Sequence, residues 1–298
     1  MGQQQKVRKA VIAAAGFGTR FLPFTKAMPK EMLPLVDKPI IQHIVEELVE
    51  AGIEDIVIVT GYHKRSIEDH FDHVSTDLKV NLRNGGKEKL LEETKRISDL
   101  ANFAYVRQKG PYGNAGPLMD VEHLIGDEPF IYTFADDFVR ATPSRFQQLL
   151  QAHTSHGGSV LTCVKRDYPE DFRRYGYVGG EQVADGLYDL QTIIEKPGSA
   201  EKAPSDLATV SGYVLDPVIY EYLHKSLAED RGGGEFIIQP AMQQMIRDGH
   251  HIYGCAVENG NYYDTGDKLE YLKTVFDFAL ERPDIGKELR EYLYRRLQ

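Results

Sequence analysis

The sequence predicts an α/β fold: a mostly parallel mixed sheet flanked by helices, with a smaller antiparallel subregion in its second half. Three observations carry this prediction. Near the N-terminus the apolar pattern reads strand, helix, strand, a βαβ unit that pairs its strands in parallel through a right-handed crossover. The apolar run at residues 130–135 is short enough for a central strand covered on both faces. Between residues 175 and 214 the pattern changes to short extended segments broken by turn residues, as antiparallel strands require.

Residues 9–15 are expected to form a buried strand, followed by a helix over 40–51. In that helix Ile40, Ile41, Ile44, Val45, Leu48 and Val49 recur at helical spacing, while Glu46, Glu47 and Glu50 take other positions. Gly52 supplies its stop. A second strand follows at 55–60, then helices near 66–71 and 89–100, a strand at 103–107 and a helix near 118–125. Beyond the central run, 143–156 is helical and 160–164 extended. In the antiparallel stretch Gly179-Gly180 and Asp185-Gly186 are the expected turns. Further helices are expected at 217–224, 236–247 and 267–280, the last opened by a capping pair, Asp267 and Glu270, and a final helix at 285–297. There is no internal repeat, and the one low-complexity tract is the glycine run at 232–234.

With 298 residues, 42% hydrophobic and 27% charged, the chain has the composition of a soluble protein and material for a large core. Its net charge of -10 argues against a broad basic surface for polymeric nucleic acid, but leaves room for a local basic pocket around a small phosphate ligand. The two cysteines, Cys163 and Cys255, stand beside apolar residues and read as core thiols rather than a disulfide framework or a zinc site. The first nine residues are polar, and no stretch of about 18 apolar residues occurs, so neither a secretory signal nor a membrane span is expected. The cytoplasm is the default compartment.

The first strand runs directly into Ala13-Ala14-Ala15-Gly16-Phe17-Gly18-Thr19-Arg20. Glycines at a strand end let the backbone approach a ligand and turn its amides toward phosphate. Phe21 stands where a dinucleotide-binding fingerprint needs its third glycine, and the Gly-Lys-Ser/Thr ending of a P-loop is absent, so both common nucleotide motifs are disfavoured. The continuation through Pro23, Lys26, Pro29, Lys30 and Pro34 makes a constrained basic loop, preorganised by its prolines. Arg20, Lys26 and Lys30 could neutralise a triphosphate and stabilise charge on a departing pyrophosphate.

Residues 13–39, ending Leu33-Pro34-Leu35-Val36-Asp37-Lys38-Pro39, resemble the signature of bacterial UTP:glucose-1-phosphate uridylyltransferases, and further matches extend to about residue 280. The resemblance implies a Rossmann-like nucleotidyltransferase fold. It implies a single domain over 1–298, with a nucleotide-binding half at about 1–140, a sugar-phosphate-binding half at about 141–270 and a helical C-terminal segment at about 271–298. A homodimer is the expected assembly; the last helix, at 285–297, either contributes to it or covers the chain's own core.

Two carboxylate sites fit that reading. Asp136-Asp137 follows the central strand, at the carboxyl end where side chains emerge toward a ligand. In Tyr262-Tyr263-Asp264-Thr265-Gly266-Asp267 the last residue is the better helix cap, leaving Asp264 for chemistry. The resemblance makes Asp136 and Asp264 a pair of Mg²⁺ ligands and places Asp137 among the nucleotide contacts; magnesium commonly uses one or two carboxylates together with substrate phosphates and water.

Glu195-Lys196-Pro197 ends an extended segment. Neighbouring strand residues point to opposite faces, so these opposite charges need not pair, although the proline can redirect them. The resemblance makes Glu195 an acceptor for a sugar hydroxyl and Lys196 a ligand of the sugar phosphate, with Gly176 lining the same pocket. On the nucleotide side it assigns Ala14, Ala15, Gly16, Gly18, Thr19, Glu31, Gln108 and Gly113 to the nucleotide site, where a glutamine amide suits the imide edge of uracil.

Three segments depart from the family pattern. Gly113-Asn114-Ala115-Gly116-Pro117 replaces Gly-Leu-Gly-His-Ala, Ser211-Gly212 stands for Gly-Arg, and Phe236-Ile237-Ile238-Gln239-Pro240 replaces Ile-Gln-Leu-Thr-Asp. The expected activity is transfer of uridylyl from UTP to glucose 1-phosphate. The same chemistry with dTTP or another hexose 1-phosphate, and a non-catalytic nucleotide-sugar-binding regulator, are the alternatives left open.

Overall fold

The computed structural model describes residues 6–229 and 234–298. Residues 1–5 of the polar N-terminal stretch and 232–233 of the glycine run therefore lie outside the described residues. Strand β1 (Lys9–Ala13) sends Ala10 and Ile12 to one face and Val11 to the other, all fully buried, because consecutive strand side chains alternate. Two short strands, β2 (Pro34–Leu35) and β3 (Lys38–Pro39), precede helix α1 (Ile40–Glu50). Strand β4 (Asp55–Thr60) then pairs with β1 in parallel. Helices α2 (Arg65–Phe71), α3 (Thr76–Asn84) and α4 (Glu88–Ser98) lead to β5 (Asn102–Arg107), parallel to β4. Helix α5 (Gly116–Ile125) returns the chain to β6 (Phe130–Phe134), parallel to β1 on its other side.

The second half contributes β7 (Asp137–Ala141), α6 (Arg145–His156), β8 (Ser159–Lys165), β9 (Gly176–Ala184), β10 (Leu187–Glu195) and β11 (Leu207–Leu215). After these come α7 (Ile219–Glu229), α8 (Gln239–Arg247), β12 (Ile252–Ala256), β13 (Gly260–Asp264), α9 (Lys268–Glu281) and α10 (Gly286–Leu297). One mixed sheet joins the halves in the order β5-β4-β1-β6-β11-β8-β12-β10-β9. Parallel pairing gives way to antiparallel where β11 enters beside β6, and β9 and β10 form the antiparallel subregion at the far edge. A separate two-stranded ribbon pairs β7 with β13 and sets Asp264 opposite Asp137.

Both sheet faces are covered, as a parallel centre demands. On one side Ile12 packs with Ile40, Ile44, Leu48, Phe146 and Leu149. On the other, Val11 packs with Leu118, Val121, Ile219, Leu223 and Met242. Cys163 and Cys255 are buried thiols of β8 and β12, as the sequence predicts. Among the described residues no helix is long and apolar enough to cross a membrane.

The differences from expectation have local causes. Gly179-Gly180 is not a turn but lies inside β9, opposite a register shift, where a side chain at Gly180 would strike the Asp189 carbonyl. Asp185-Gly186 is the turn, joining β9 to β10 with Gly186 at φ 66. Helix α8 begins three residues later than expected, because Phe236 and Ile238 bond to the loop before α5. Asp267 caps α9 through the Leu269 and Glu270 amides, but Glu270 does not complete a reciprocal pair; its carboxylate meets Lys273 instead. Helix α3 escapes prediction because Leu82 is its only buried residue and no apolar stripe exists to read.

Candidate active site

The site forms at the carboxyl end of the parallel strands. After β1 the chain leaves the sheet with one last bond, Ala14 N–H to the Val59 carbonyl at 2.8 Å, and enters the glycine loop. Gly18 takes φ 64, and a Cβ there would lie 3.0 Å from Thr25 Cγ2 and 3.2 Å from Lys30 Cβ, so glycine is required on both counts. Three short 3₁₀ turns follow, Thr19–Phe21, Phe24–Lys26 and Lys30–Met32. The Thr25 hydroxyl ties this segment back by donating to the Gly18 carbonyl at 2.7 Å.

The third turn delivers Lys30 to Asp136, with which it forms an ion pair. Burial opposes the charged form of each, but the partner charges outweigh it: Asp136 and Glu31 hold the Lys30 ammonium above its ordinary pKa, and Lys30 and Arg20 hold the Asp136 carboxyl below its own. Beside them Glu31, fully buried, is paired with Lys64 at 2.6 Å, and its Oε1 is buried without a hydrogen-bond partner. Here burial wins, pushing the Glu31 carboxyl up and the Lys64 ammonium down. Glu31 thus supports the basic loop from beneath instead of facing the cavity.

Asp136 and Asp264 meet around Gly266. A Cβ at Gly266 would stand 2.9 Å from Asp136 Oδ2, 3.2 Å from Asp264 Oδ1 and 3.2 Å from Arg20 Nη1. The Gly266 amide donates to Asp264 Oδ1 at 3.1 Å, and its carbonyl accepts from Arg20 at 2.9 Å. Asp264 is not a free carboxylate: Arg174 holds Oδ2 at 2.7 Å and the Tyr175 hydroxyl donates to it at 2.8 Å.

Asp137 is buried where it borders the site. It accepts from the Ser211 amide at 3.1 Å, the Ser211 hydroxyl and the Tyr262 hydroxyl at 3.1 Å. Burial raises its pKa to about 6 against the opposing pull of Arg145. Arg145, fully buried, donates to the Ser211 carbonyl at 2.9 Å and grips Glu47 of α1 with two bonds of 3.1 and 3.0 Å. Position 212, where the resemblance leads one to expect arginine, has no room for it. Gly212 takes φ 98, and a Cβ would meet Thr162 Oγ1 at 2.9 Å and Arg145 Nη1 at 3.3 Å.

At the far edge of the sheet, Gly176 pairs with Glu195 across the β9–β10 ladder, and a Cβ at Gly176 would come within 2.9 Å of Glu195 Oε2. Lys196 leaves the strand at φ 48, which swings its ammonium to 3.3 Å from Glu195 Oε1, so the adjacent charges do pair. A cavity of about 550 Å³ is lined by Arg20, Asp136, Asp137, Gly176, Glu195, Lys196 and Asp264 together.

Lys26 stays exposed and lines none of that cavity. Gln108 and Gly113 are not among the residues that line it, although Asn114, next to Gly113, is; the Gln108 amide donates to the Pro111 carbonyl at 2.9 Å. Sequence reasoning missed Arg174, for which the doublet Arg173-Arg174 just before Tyr175-Gly176-Tyr177 is a usable signal, and also Tyr175, Tyr213 and Tyr262. All three departing segments reach the same cavity, through Asn114, Ser211 and Gln239.

A profile of the nucleotidyl transferase family matches residues 9–280. The chain is 45% identical over 290 residues to the UTP–glucose-1-phosphate uridylyltransferase YngB of Bacillus subtilis (strain 168), covering 97% of this chain and 95% of that protein. It is 42% identical to the UTP–glucose-1-phosphate uridylyltransferase of Staphylococcus epidermidis (strain ATCC 12228 / FDA PCI 1200), covering 97% and 98%. Among solved structures, a UTP-bound UGPase from Acinetobacter baumannii superimposes with a TM-score of 0.87 at 31% identity, over 97% of this chain and 99% of that one. A UDP-glucose pyrophosphorylase complexed with UDP-glucose gives 0.81 at 36%, over 93% and 100%.

Proposed function

The chain belongs to the nucleotidyl transferase family, and on that premise we infer that it is an enzyme that transfers the uridylyl group of UTP to glucose 1-phosphate, giving UDP-glucose and pyrophosphate. The observation that carries this reading is the meeting of Arg20, Asp136 and Asp264 with Gly176, Glu195 and Lys196 around one cavity, with Lys30 paired to Asp136. Cations for phosphates, carboxylates for a hard metal and a charged acceptor for hydroxyls stand side by side, which is the set this reaction needs.

A phosphate oxygen of glucose 1-phosphate attacks the α-phosphorus of UTP in line with the bond to the β-phosphate. The new P–O bond forms as the old one breaks, and pyrophosphate leaves with the bonding pair. The nucleophile is already an anion, so no strong general base is needed and catalysis comes from positioning and electrostatics. Arg20 and Lys30 hold the nucleotide phosphates and gather the charge of the leaving group. Lys196 holds the sugar phosphate, Glu195 accepts from a glucose hydroxyl, and Gly176 leaves space beside them. Ala14 anchors the loop to β4, the stretch through Ala15, Gly16, Gly18 and Thr19 supplies backbone amides, and Gln108 and Gly113 take the uracil edge. In this reading the nucleotide is held within residues 1–140 and the sugar phosphate within 141–270.

The donor set suits magnesium, since two carboxylates from separate elements converge beside Gly266 and both border the cavity. Asp136 and Asp264 would hold the ion, whose charge when bound screens repulsion between the two phosphates. Asp136→Ala should reduce Mg²⁺-dependent pyrophosphate release from UTP and glucose 1-phosphate by about a hundredfold or more; full activity in that variant would sink the assignment. A homodimer is also proposed, supported by the exposed Tyr292, Tyr294 and Leu297 of α10. Light scattering that returned the mass of one chain at micromolar concentration would refute it.

A further inference from the structure

Two aromatic side chains beside the glycine loop have no role in the core. Phe17 and Tyr112 are each 68% exposed, and neither belongs to any of the hydrophobic clusters. Their ring centroids nevertheless lie 5.7 Å apart, tilted at 42°. Phe17 stands between Gly16 and Gly18 in the loop that leaves β1, and Tyr112 precedes Gly113 in the loop that leaves β5. In the sheet β4 separates those two strands, so the loops reach across its carboxyl end to meet.

Neither ring rides on a loose tip. The Gly18 carbonyl accepts from Thr25 Oγ1 at 2.7 Å and from the Phe21 amide at 3.0 Å. On the other side the Tyr112 carbonyl accepts from the Phe236 amide at 2.8 Å, and a side chain at Gly113 would collide with the Phe236 backbone. Both backbones are therefore fixed while both rings are offered to solvent, an arrangement that sets apolar area in water without return unless something covers it. Gln108, whose amide matches an imide edge, leaves β5 in the same loop.

We propose that Phe17 and Tyr112 form an aromatic platform on which the pyrimidine ring of the nucleoside triphosphate stacks, as a specificity-neutral source of base affinity. The proposal rests on the uridylyltransferase reading above and deepens it. Every base has a π-face, so stacking raises affinity for any pyrimidine donor and leaves the choice between uracil and thymine to contacts at the base edge.

The chain contains no tryptophan, so Phe17→Trp introduces a single indole reporter. Uridine and UTP should each change its emission saturably, while inorganic tripolyphosphate, which lacks a base, should not. Emission that ignores uridine and UTP, or that responds equally to tripolyphosphate, overturns the platform. This titration needs no turnover, so its result is separate from that of the pyrophosphate assay on the unmodified protein. In a second arm, Phe17→Ala and Tyr112→Leu should raise KM for UTP and for dTTP together, by about tenfold, with KM for glucose 1-phosphate within about twofold and thermal stability retained. KM values for UTP that stay put in a stably folded double variant, or a change confined to one of the two nucleotides, would also overturn it.

Discussion

At position 266 the absence of a side chain does as much for the site as the charged residues around it. The amide and carbonyl of Gly266 hold Asp264 and Arg20, and both carboxylates of the proposed metal pair approach the space a Cβ would fill. Gly266 is not in a left-handed conformation, so alanine would meet a problem of space alone. Gly266→Ala should leave the melting temperature within a few degrees and lower kcat by about tenfold or more, by driving the carboxylates apart; unchanged kcat would show that the spacing is not critical. Most charged groups of the site were legible one by one, because Arg20, Lys30, Asp136, Glu195, Lys196 and Asp264 stand at loop or strand-end positions in the sequence. Their partners were not. The Lys64 that meets Glu31 and the Arg174 that meets Asp264 come from other segments, and nothing in a local pattern marks an ion pair formed across the fold.

Elements are joined beneath the site by buried charge. Arg145, the first residue of α6, binds Glu47 of α1 and the Ser211 carbonyl of β11, so one guanidinium links two helices to the sheet behind Asp137. Burial lifts the Glu47 carboxyl to about 7 in spite of that partner. Removing one member of such a pair leaves the other charged and dry. Arg145→Met should cost about 3–5 kcal/mol in urea denaturation, and adding Glu47→Leu should recover much of the loss; a near-neutral single variant would mean the pair is solvated in solution. The departing segments also make sense as elements. The loop at residues 112–115 and the approach to α8 exchange the bonds Ala115 N–H to Phe236 carbonyl, 3.0 Å, and Ile238 N–H to Asn114 Oδ1, 2.8 Å. The Asn114 amide also reaches Gln239 Oε1, at 3.4 Å. Two changes far apart in sequence are thus one change in space.

For the whole molecule, His43 reports on how its layers close. It lies on α1, stacked on Phe138 of β7 and edge-on to Phe278 of α9, with Nε2 buried and unpartnered. Burial, reinforced by Lys38, depresses its pKa from 6.5 to about 4. Between those values the unfolded chain binds more protons at this residue than the folded one. Its contribution to stability is therefore complete above about 6.5 and is lost as the pH falls toward about 4. Compared with His43→Leu, the unmodified protein should lose stability more steeply over that window, by about 1–3 kcal/mol; parallel curves would place the ring in water. At the same scale, local periodicity was enough to determine the α/β class, the parallel βαβ start and the antiparallel subregion, because helices, strands and turns answer to neighbours a few residues away. The tertiary structure alone decided that Asp136 and Asp264 converge on Gly266, that Glu31 is buried on Lys64, and that three altered segments share one cavity. Those facts depend on which strand lies beside which, and contacts between distant segments leave no periodic trace in a single chain.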